Sequence, residues 1–412
     1  MAITLPEKGQ AWKSLRQEML RRGSEDAKWR DGKTAVYVFN AGEDVAQVQK
    51  DAYTLYMSEN GLGPLAFPSL KHMEEEVVGM GLHLMHGPEG GKGTITSGGT
   101  DSIVMAVKSA RDFAHKELGI VDKPNIVIPF SAHPAFDKAC HMMGLENRRI
   151  KVRDDLLADT ETMSSACDEN TILLVGSAPS FPYGLSDDIA ALGKVAKSKD
   201  IWLHVDACVG GYIAPFVRMN GADIKPFDFE VPGVMSISAD LHKYGYCAKG
   251  ASTVLFRSEA LMNHMIFDHA DWPGGRMVTP TLAGTRPGGA ISAAWGVMNY
   301  LGVEGYKEKQ KQVTDARDLI ERGVKALGFK LLGRPQLGIM AFTHPELDVF
   351  AIYKQMYTRG WFTSLTTKPR ALHLMLSPFH IQVTETYLDD LESSIEEVMA
   401  GKTGSITEAR YS

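Results

Sequence analysis

The chain has 412 residues, of which 44% are hydrophobic and 23% are charged, as is typical of a globular enzyme with a large core. It carries 44 Lys and Arg residues and 50 Asp and Glu residues, and its net charge of −6 argues against a large nucleic-acid surface. Four cysteines without a C-x-x-C pair favour reduced thiols in a cytoplasm over disulfides or a zinc site, so no metal is expected.

Residues 1–60 are expected to form a helical arm or segment. No secretory signal is visible at the N-terminus, and no stretch approaches the roughly 20 apolar residues of a membrane-spanning helix, so we expect a soluble cytoplasmic protein. Ala11–Arg30 is charged with apolar residues at helical spacing, which predicts a solvated helix or an arm on a partner subunit. We then expect an apolar run at Ala35–Phe39, helices at Val45–Met57 and Leu70–Leu84, and a loop at Asn60–Pro68.

Residues 61–300 are expected to form the large domain. From Gly93 onward, short apolar runs alternate with helical stretches, which predicts an α/β fold around a mostly parallel, seven-stranded sheet. The last two runs lie too close for a helical crossover, so one strand there should be antiparallel. The predicted strands are Thr94–Thr96, Ile126–Phe130, Ile150–Val152, Ile172–Val175, Trp202–Val205, Val234–Ser238 and Thr253–Phe256, and the predicted helices are Ser102–Lys116, Phe136–Met143 and Ile189–Lys197.

Residues 301–412 are expected to form a smaller C-terminal α/β domain that ends in a frayed tail at Thr403–Ser412. Two helical stretches lead into it, and strands and covering helices follow. The predicted helices are Ala290–Tyr300, Lys307–Leu327, Val349–Arg359 and Thr384–Met399, and the apolar runs are Lys330–Leu332, Gly338–Phe342, Trp361–Leu365 and Leu372–Leu376.

The stretch Ser236–Gly250 carries Lys243 in a loop between two short β-type runs, which puts its amine at the rim of a sheet. A lysine that is desolvated or close to other cations is a nucleophile, and it forms a Schiff base with carbonyl compounds. A solvated surface charge is the alternative interpretation for this residue alone.

The stretch Thr96–Ser102, T-S-G-G-T-D-S, follows a predicted strand and opens a helix. Gly98 and Gly99 let the backbone approach a ligand, and the positive end of a helix suits a phosphate. The alternative is a glycine turn with Thr100 or Ser102 as the helix cap.

Two further polar residues follow predicted strands. Asp206 ends the run W-L-H-V-D, and carboxyl ends of strands are where ligands bind in open α/β sheets; a helix cap or a surface ion pair is the alternative. His133 follows N-I-V-I-P-F and could stack on a planar ring, although a single histidine is more often a satisfied hydrogen-bonding group.

Taken together, these motifs supply a phosphate cradle, a ring-stacking imidazole, an acid and an amine at the edge of one sheet. Phosphate, aromatic ring, ring nitrogen and Schiff-base amine are the four features that a pyridoxal-phosphate site must satisfy. Asp206 precedes Lys243 by 243 − 206 = 37 positions, which leaves room for one more element and a strand. The sequence therefore predicts pyridoxal 5′-phosphate as the cofactor.

The order of these motifs resembles that of the sphingosine-1-phosphate lyase family, over roughly residues 35–306. That family belongs to the fold-type-I pyridoxal-phosphate enzymes, near the group II amino-acid decarboxylases, so the resemblance implies an aspartate-aminotransferase-like large domain. The matching stretches are T-S-G-G-T-D-S, S-A-H-P-A-F-D-K-A, V-G-S-A-P-S-F-P-Y-G, H-V-D-A-C-V-G-G, S-A-D-L-H-K-Y-G-Y-C-A-K-G and T-P-T-L-A-G-T-R-P-G-G.

The resemblance implies a role for each cofactor residue. Lys243 would form the Schiff base, Asp206 would hold the pyridine nitrogen protonated, and His133 would stack on the ring. The cofactor's phosphate would be held by residues of the chain that also carries Lys243. In a homodimer with shared sites, the loop T-L-A-G-T would reach the phosphate in the neighbouring subunit. The phosphate-binding residues are Gly98, Gly99, Thr100 and His242, with Gly284 and Thr285 from the neighbouring subunit.

Three more positions match the family. Tyr37 and Lys249 are implied to handle the proton of a substrate hydroxyl, if burial or neighbours bring a pKa toward neutrality; the alternatives are a packed tyrosine and a solvated lysine. Arg286 is a weaker match. The family also reads N-P-L-H where this chain reads N-G-L-G, so Gly63 replaces a histidine that contacts the substrate's phosphate. The membrane anchor of eukaryotic members is not seen either.

The resemblance implies a carbon–carbon lyase that splits a 2-amino-3-hydroxy compound, such as a phosphorylated sphingoid base, into an aldehyde and an amine. An amino-acid decarboxylase is the alternative, with Arg286 as the cation for the substrate's carboxylate. A catalytically silent binding protein on the same fold is the third hypothesis. The expected partners are a small-molecule amine and a second copy of the chain, without nucleic acid.

Overall fold

The computed structural model describes residues 3–401 of the chain. Its central sheet has seven strands. The strand order is β1-β7-β6-β5-β4-β2-β3, and β7 runs antiparallel to both of its neighbours while the pairs from β6 to β3 are parallel. This confirms the predicted mostly parallel sheet with one antiparallel strand. The strands are β1 (Lys92–Thr96), β2 (Asn125–Pro129), β3 (Glu146–Ile150), β4 (Thr171–Ser177), β5 (Trp202–Asp206), β6 (Val234–Ala239) and β7 (Ser252–Phe256).

Helices cover this sheet because their apolar faces need burial. In the helix that follows β1, nine residues are buried, and six of them are apolar. The helix that precedes β5 begins where Asp188 accepts a hydrogen bond from Ala191 N, which satisfies one of its unpaired amides. The helices are α1 (Trp12–Arg22), α2 (Glu43–Leu55), α3 (Pro68–Leu84), α4 (Gly99–Phe113), α5 (Ala135–Met143), α6 (Thr160–Ala166), α7 (Ile189–Lys199), α8 (Ala214–Met219) and α9 (Glu259–Asn263).

A second, antiparallel sheet of four strands lies in the C-terminal part, in the order β10-β11-β13-β12. It confirms the smaller α/β unit that was expected there. An exposed hairpin and a long helix with a non-helical residue, Gly302, lead into it. These elements are β8 (Phe267–His269), β9 (Met277–Thr279), α10 (Gly288–Ala326), β10 (Lys330–Leu331), β11 (Ile339–Thr343), α11 (Val349–Thr358), β12 (Ser364–Thr367), β13 (Arg370–Met375) and α12 (Thr384–Met399).

The apolar run Ala35–Phe39 does not form a strand of its own. Ala35 N donates a hydrogen bond to Phe362 O at 2.9 Å, and Ala35 O accepts one from Met375 N at 2.7 Å. The N-terminal segment thereby joins the margin of the small sheet. This pairing places Tyr37 between the two sheets.

Three predicted boundaries are wrong. The third strand ends at Ile150 rather than beginning there, because it pairs with β2 through charged residues that carry no apolar pattern. The run at Trp361–Leu365 is displaced to β12, and the helix expected over Ala11–Arg30 stops at Arg22, before Gly23. The division at residues 60 and 300 stays a prediction, and the predicted tail at Thr403–Ser412 lies outside the described residues.

Within residues 3–401, no helix combines the length and the apolar character that crossing a membrane requires.

Candidate active site

The carboxyl ends of β2, β5 and β6 meet the start of α4 around a cavity of about 180 Å³. The parallel strands bring these loops to one edge of the sheet, which is why residues far apart in sequence converge there. Six of the predicted site residues line this cavity: Gly99, Thr100, His133, Asp206, His242 and Lys243. Gly98 adjoins it, since a Cβ at that position would lie 3.5 Å from Cε1 of His242.

Lys243 has a partner that sequence reasoning missed. Its Nζ lies 3.0 Å from Oδ2 of Asp240, a buried carboxylate three residues earlier in the same turn, and Nε2 of His242 lies 3.7 Å from the same oxygen. Burial alone would raise the pKa of Asp240, but the charges of Lys243 and His242 hold that pKa below its ordinary value. The spacing D-L-H-K contains a signal for this pair, because the first and fourth residues of a turn lie close together.

The phosphate cradle is built where β1 passes into α4. Ser97 donates from both N and Oγ to Oδ2 of Asp101, each at 3.0 Å, which fixes the turn. A Cβ at Gly99 would lie 2.7 and 2.9 Å from the two carboxylate oxygens of Asp240 and 3.0 Å from Sγ of Cys208. Only glycine therefore fits at this point of the loop.

Asp206 and His133 stand at neighbouring strand ends. Oδ1 of Asp206 accepts a hydrogen bond from Cys208 N at 3.0 Å and another from Oγ of Ser238 at 3.4 Å. Nδ1 of His133 accepts from Ala135 N at 3.1 Å. Burial lowers the pKa of His133, and the charge of Asp206 opposes that change only in part. A neutral, flat imidazole therefore lines the cavity beside a buried carboxylate.

A second cavity, of about 290 Å³, adjoins the first and contains Tyr37 and Lys249. Although much of the Lys249 side chain is exposed, its Nζ donates to Tyr37 O at 2.7 Å and to His242 O at 3.2 Å. Burial of the amine, together with the charge of Lys243, lowers the pKa of Lys249 to about 8. Burial also raises the pKa of Tyr37, whose φ of 63° lies in the left-handed region.

The family that this site indicates also emerges from sequence comparison. The model of the pyridoxal-dependent decarboxylase conserved domain matches residues 3–344. The chain belongs to this family. Among its relatives, sphingosine-1-phosphate lyase from Drosophila melanogaster is 39% identical over 96% of this chain and 73% of its own length, and the enzyme from Oryza sativa is 40% identical over 91% and 71%.

Solved structures agree with this assignment. Sphingosine-1-phosphate lyase from Burkholderia pseudomallei superimposes with a TM-score of 0.92 at 35% identity, and the match covers 96% of this chain and 93% of that one. Glutamate decarboxylase from Lactobacillus brevis shares the fold at a TM-score of 0.85 and 20% identity. The chain is therefore a fold-type-I, pyridoxal-phosphate-dependent lyase of the sphingosine-1-phosphate lyase-like group, as its motifs predicted.

The residues of this family member fit its cofactor. Within the described chain, Oδ1 of Asp240 and Nδ1 of His242 are buried without a hydrogen-bond partner, and both residues line the cavity. A buried polar atom without a partner costs free energy unless a ligand or water satisfies it. The same cavity is lined by the start of α4, by His133 and by Asp206, and this lining suits a phosphorylated, planar group.

Three residues that were predicted to belong to the site lie outside the two cavities. Gly284 and Thr285 belong to a surface loop before α10, outside the lining of both cavities. Arg286 is buried against Glu74 in a close ion pair, and it also donates to Ile95 O at 3.1 Å. Its guanidinium is therefore paired within the fold and lines neither cavity, which argues against its assignment as the cation for a substrate carboxylate.

Phe181 is the second residue that the predictions missed. It lines both cavities, and its ring lies 4.5 Å from that of the buried His373. The signal was present in the family stretch V-G-S-A-P-S-F-P-Y-G, but an apolar residue in a loop has no chemical signature of its own.

Proposed function

We propose that the protein is a carbon–carbon lyase that splits a 2-amino-3-hydroxy compound, such as a phosphorylated sphingoid base, into an aldehyde and an amine. The observation that carries this proposal is the second cavity, where an amine of lowered pKa and a tyrosine stand beside Lys243. A retro-aldol cleavage needs a group that removes the proton of the substrate's hydroxyl while the adjacent carbon–carbon bond breaks.

Pyridoxal phosphate supplies the electron-withdrawing ring when it is bound. In our proposal, Lys243 would hold its carbonyl carbon, and Asp206 would keep a proton on its ring nitrogen. His133 would stack on the ring as a neutral imidazole. The phosphate would be held by His242 and by the start of α4, namely Gly99 and Thr100 together with Gly98, which precedes the helix.

Lys249 and Tyr37 are assigned the handling of the substrate's hydroxyl proton. With a pKa of about 8, Lys249 has a substantial neutral fraction near neutrality, and a neutral amine accepts the hydroxyl proton. Because the pKa of Tyr37 is raised, its phenol keeps its own proton and is suited to donate a hydrogen bond to the developing aldehyde oxygen. Nζ of Lys249 is oriented by the carbonyls of Tyr37 and His242.

A larger cavity next to the site has room for a substrate with a hydrocarbon chain. Its volume is about 440 Å³, and it shares His133 and Phe181 with the cofactor cavity. Its lining combines an apolar wall with charged side chains. The apolar wall includes Phe130, Tyr183 and Leu365, and the charged residues are Asp137, Arg149 and Lys368. A pocket of this size accommodates a drug-sized group, and the apolar wall suits a hydrocarbon chain.

The alternative of an amino-acid decarboxylase is weakened by Arg286, whose ion pair with Glu74 removes the cation that the substrate's carboxylate would need. The third hypothesis, a silent binding protein, is opposed by the intact Lys243, Asp206 and phosphate cradle. We further propose a cytoplasmic homodimer in which Gly284 and Thr285 complete the phosphate site of the neighbouring subunit.

The test is an assay of products from the loaded enzyme. Incubation with phosphorylated and unphosphorylated 2-amino-3-hydroxy compounds should release an aldehyde, whereas incubation with amino acids should release no carbon dioxide. Lys243→Ala is the control, since it should lose both the activity and the cofactor's absorption band for the bound form. Carbon dioxide without aldehyde would establish the decarboxylase instead.

A further inference from the structure

Five buried side chains form a continuous file of hydrogen bonds that ends at Asp206. Trp202, His204 and Asp206 alternate along β5 and share one face of the sheet, because successive side chains of a strand point to opposite faces. β6 runs beside it with His204 opposite Ser236 and Asp206 opposite Ser238. We call these five residues the strand file.

The distances along the strand file are those of hydrogen bonds. Nε1 of Trp202 lies 2.8 Å from Oγ of Ser236, which lies 2.8 Å from Nδ1 of His204. Nε2 of His204 lies 3.1 Å from Oγ of Ser238, which lies 3.4 Å from Oδ1 of Asp206. All five residues are buried, and His204 and both serines are inaccessible to solvent.

Trp202 fixes the direction of the strand file, because its indole N–H can only donate. Ser236 therefore accepts from Trp202 and donates to Nδ1 of His204, so that His204 carries its proton on Nε2 and donates to Ser238. Ser238 then donates to Asp206. The opposite direction would leave the Ser236 hydroxyl without an acceptor among the bonds of the described chain.

We propose that the strand file is a positioning device, in which His204 orients Ser238 so that Asp206 stays ionised and aimed at the cofactor's ring nitrogen. The inference rests on the role proposed above for Asp206. Burial disfavours a carboxylate's charge, and a donated hydrogen bond favours it. Burial also lowers the pKa of His204 to about 4, which keeps the imidazole neutral, and the hydrogen bonds of the strand file select its tautomer.

One test measures the tautomer of His204 directly. In the holoenzyme with ¹⁵N-labelled histidine, His204→Gln identifies the signals of His204 by difference. We expect a neutral ring protonated on Nε2 throughout the neutral pH range. A cationic ring, or a proton on Nδ1, would overturn the strand file whatever the enzyme's activity.

A second test measures the effect on the cofactor. Ser238→Ala should weaken cofactor affinity by roughly three- to tenfold, the range of an ordinary hydrogen bond, because the lost bond acts on the cofactor only through Asp206. It should also lower the protonation of the ring nitrogen in ¹⁵N-labelled pyridoxal phosphate. Ser238→Cys, which restores a weak donor, should give an intermediate value. The matched control is Ser394→Ala, because Ser394 is a buried serine that donates to Asp390 O, far from the site in α12.

The two proposals fail in different ways. If Ser238→Ala matches the control in cofactor affinity and in the nitrogen signal while Asp206→Asn changes both, the strand file is refuted and the role of Asp206 stands. If Asp206→Asn leaves the ring nitrogen unchanged, the role of Asp206 in the proposed function is refuted as well.

Discussion

At the scale of single residues, burial decides which groups of the site are charged. Lys249 and Lys243 both have amines close to the cavity, but only Lys243 has a carboxylate at ion-pair distance, 3.0 Å away in Asp240. Lys249 donates instead to two backbone carbonyls, which compensate less for the loss of water. The two lysines therefore differ in chemistry because of their partners.

The activity should depend on the protonation of Lys249. Since its pKa is about 8, the amine is charged below that pH and neutral above it, so kcat should rise with pH through about 8. Lys249→Arg keeps a permanent charge, and it should lose this rise together with about 100-fold or more in kcat. A pH profile of kcat checks this, and an arginine variant that keeps the rise would exclude Lys249 as the base.

Gly99→Ala should weaken cofactor binding, since the added Cβ would collide with the carboxylate of Asp240. We expect a loss of at least about tenfold in affinity, or 1.4 kcal/mol, from titration of the apoenzyme with pyridoxal phosphate. Gly79→Ala is the matched control. It lies in α3 with no atom within 4 Å of its Cβ, so it should leave affinity unchanged. Equal affinities in the two variants would contradict the cradle.

At the scale of elements, the ion pair of Arg286 and Glu74 joins the loop before α10 to α3 and β1. Oε1 of Glu74 also accepts from Ile95 N and from Oγ1 of Thr94, each at 2.8 Å. Three elements thus share one partly buried carboxylate. The loop that carries Gly284 and Thr285 is anchored by this contact next to the sheet.

Arg286→Met should therefore destabilise the fold by about 3 kcal/mol in urea unfolding, because it leaves a partly buried carboxylate without its charge partner. The double variant with Glu74→Met should lose less than the sum of the single changes, because each removes the other's unpaired charge. Additive losses would show that the pair does not act as a unit.

The sequence predicted the parallel elements well because their apolar runs are buried on both faces, as in β4 and β5. Charged or short elements escaped prediction. β3 is an edge strand with two arginines, and the hairpin of β8 and β9 is largely exposed, so neither has a clear apolar pattern. Tertiary pairing, rather than local composition, creates these strands.

Site prediction had a similar limit. Lys243, Asp206 and His133 were found because each chemical type follows a strand and the motifs occur in a known order. The spacing D-L-H-K contains a signal for the pairing of Asp240 with Lys243, but the ion pair of Arg286 and Glu74 joins residues 212 positions apart, and no local pattern encodes it. Sequence therefore identified the cofactor's chemistry and could not disclose the contacts of Arg286.

At the scale of the whole molecule, the proposed shared site predicts complementation between two inactive variants. Lys243→Ala lacks the amine, and Thr285→Glu places a carboxylate where the neighbour's phosphate is proposed to bind. When both chains are co-expressed, half of the dimers should be mixed, with one intact site in two, which gives about a quarter of wild-type activity. Activity in either single variant is the baseline, and an inactive mixture would contradict the shared site.

The pairing of the N-terminal segment with the small sheet has a consequence for biosynthesis. Nζ of Lys33 donates to Arg359 O across 326 positions, and Ala35 pairs with Met375. At 5 to 20 residues per second, the ribosome makes these partners roughly 16 to 65 s apart. Every residue of the cofactor cavity is translated in that interval. The second cavity, which contains Tyr37 and Lys249, is therefore completed last, because its lining includes Met375. A nascent chain can form the phosphate cradle before it can form this cavity.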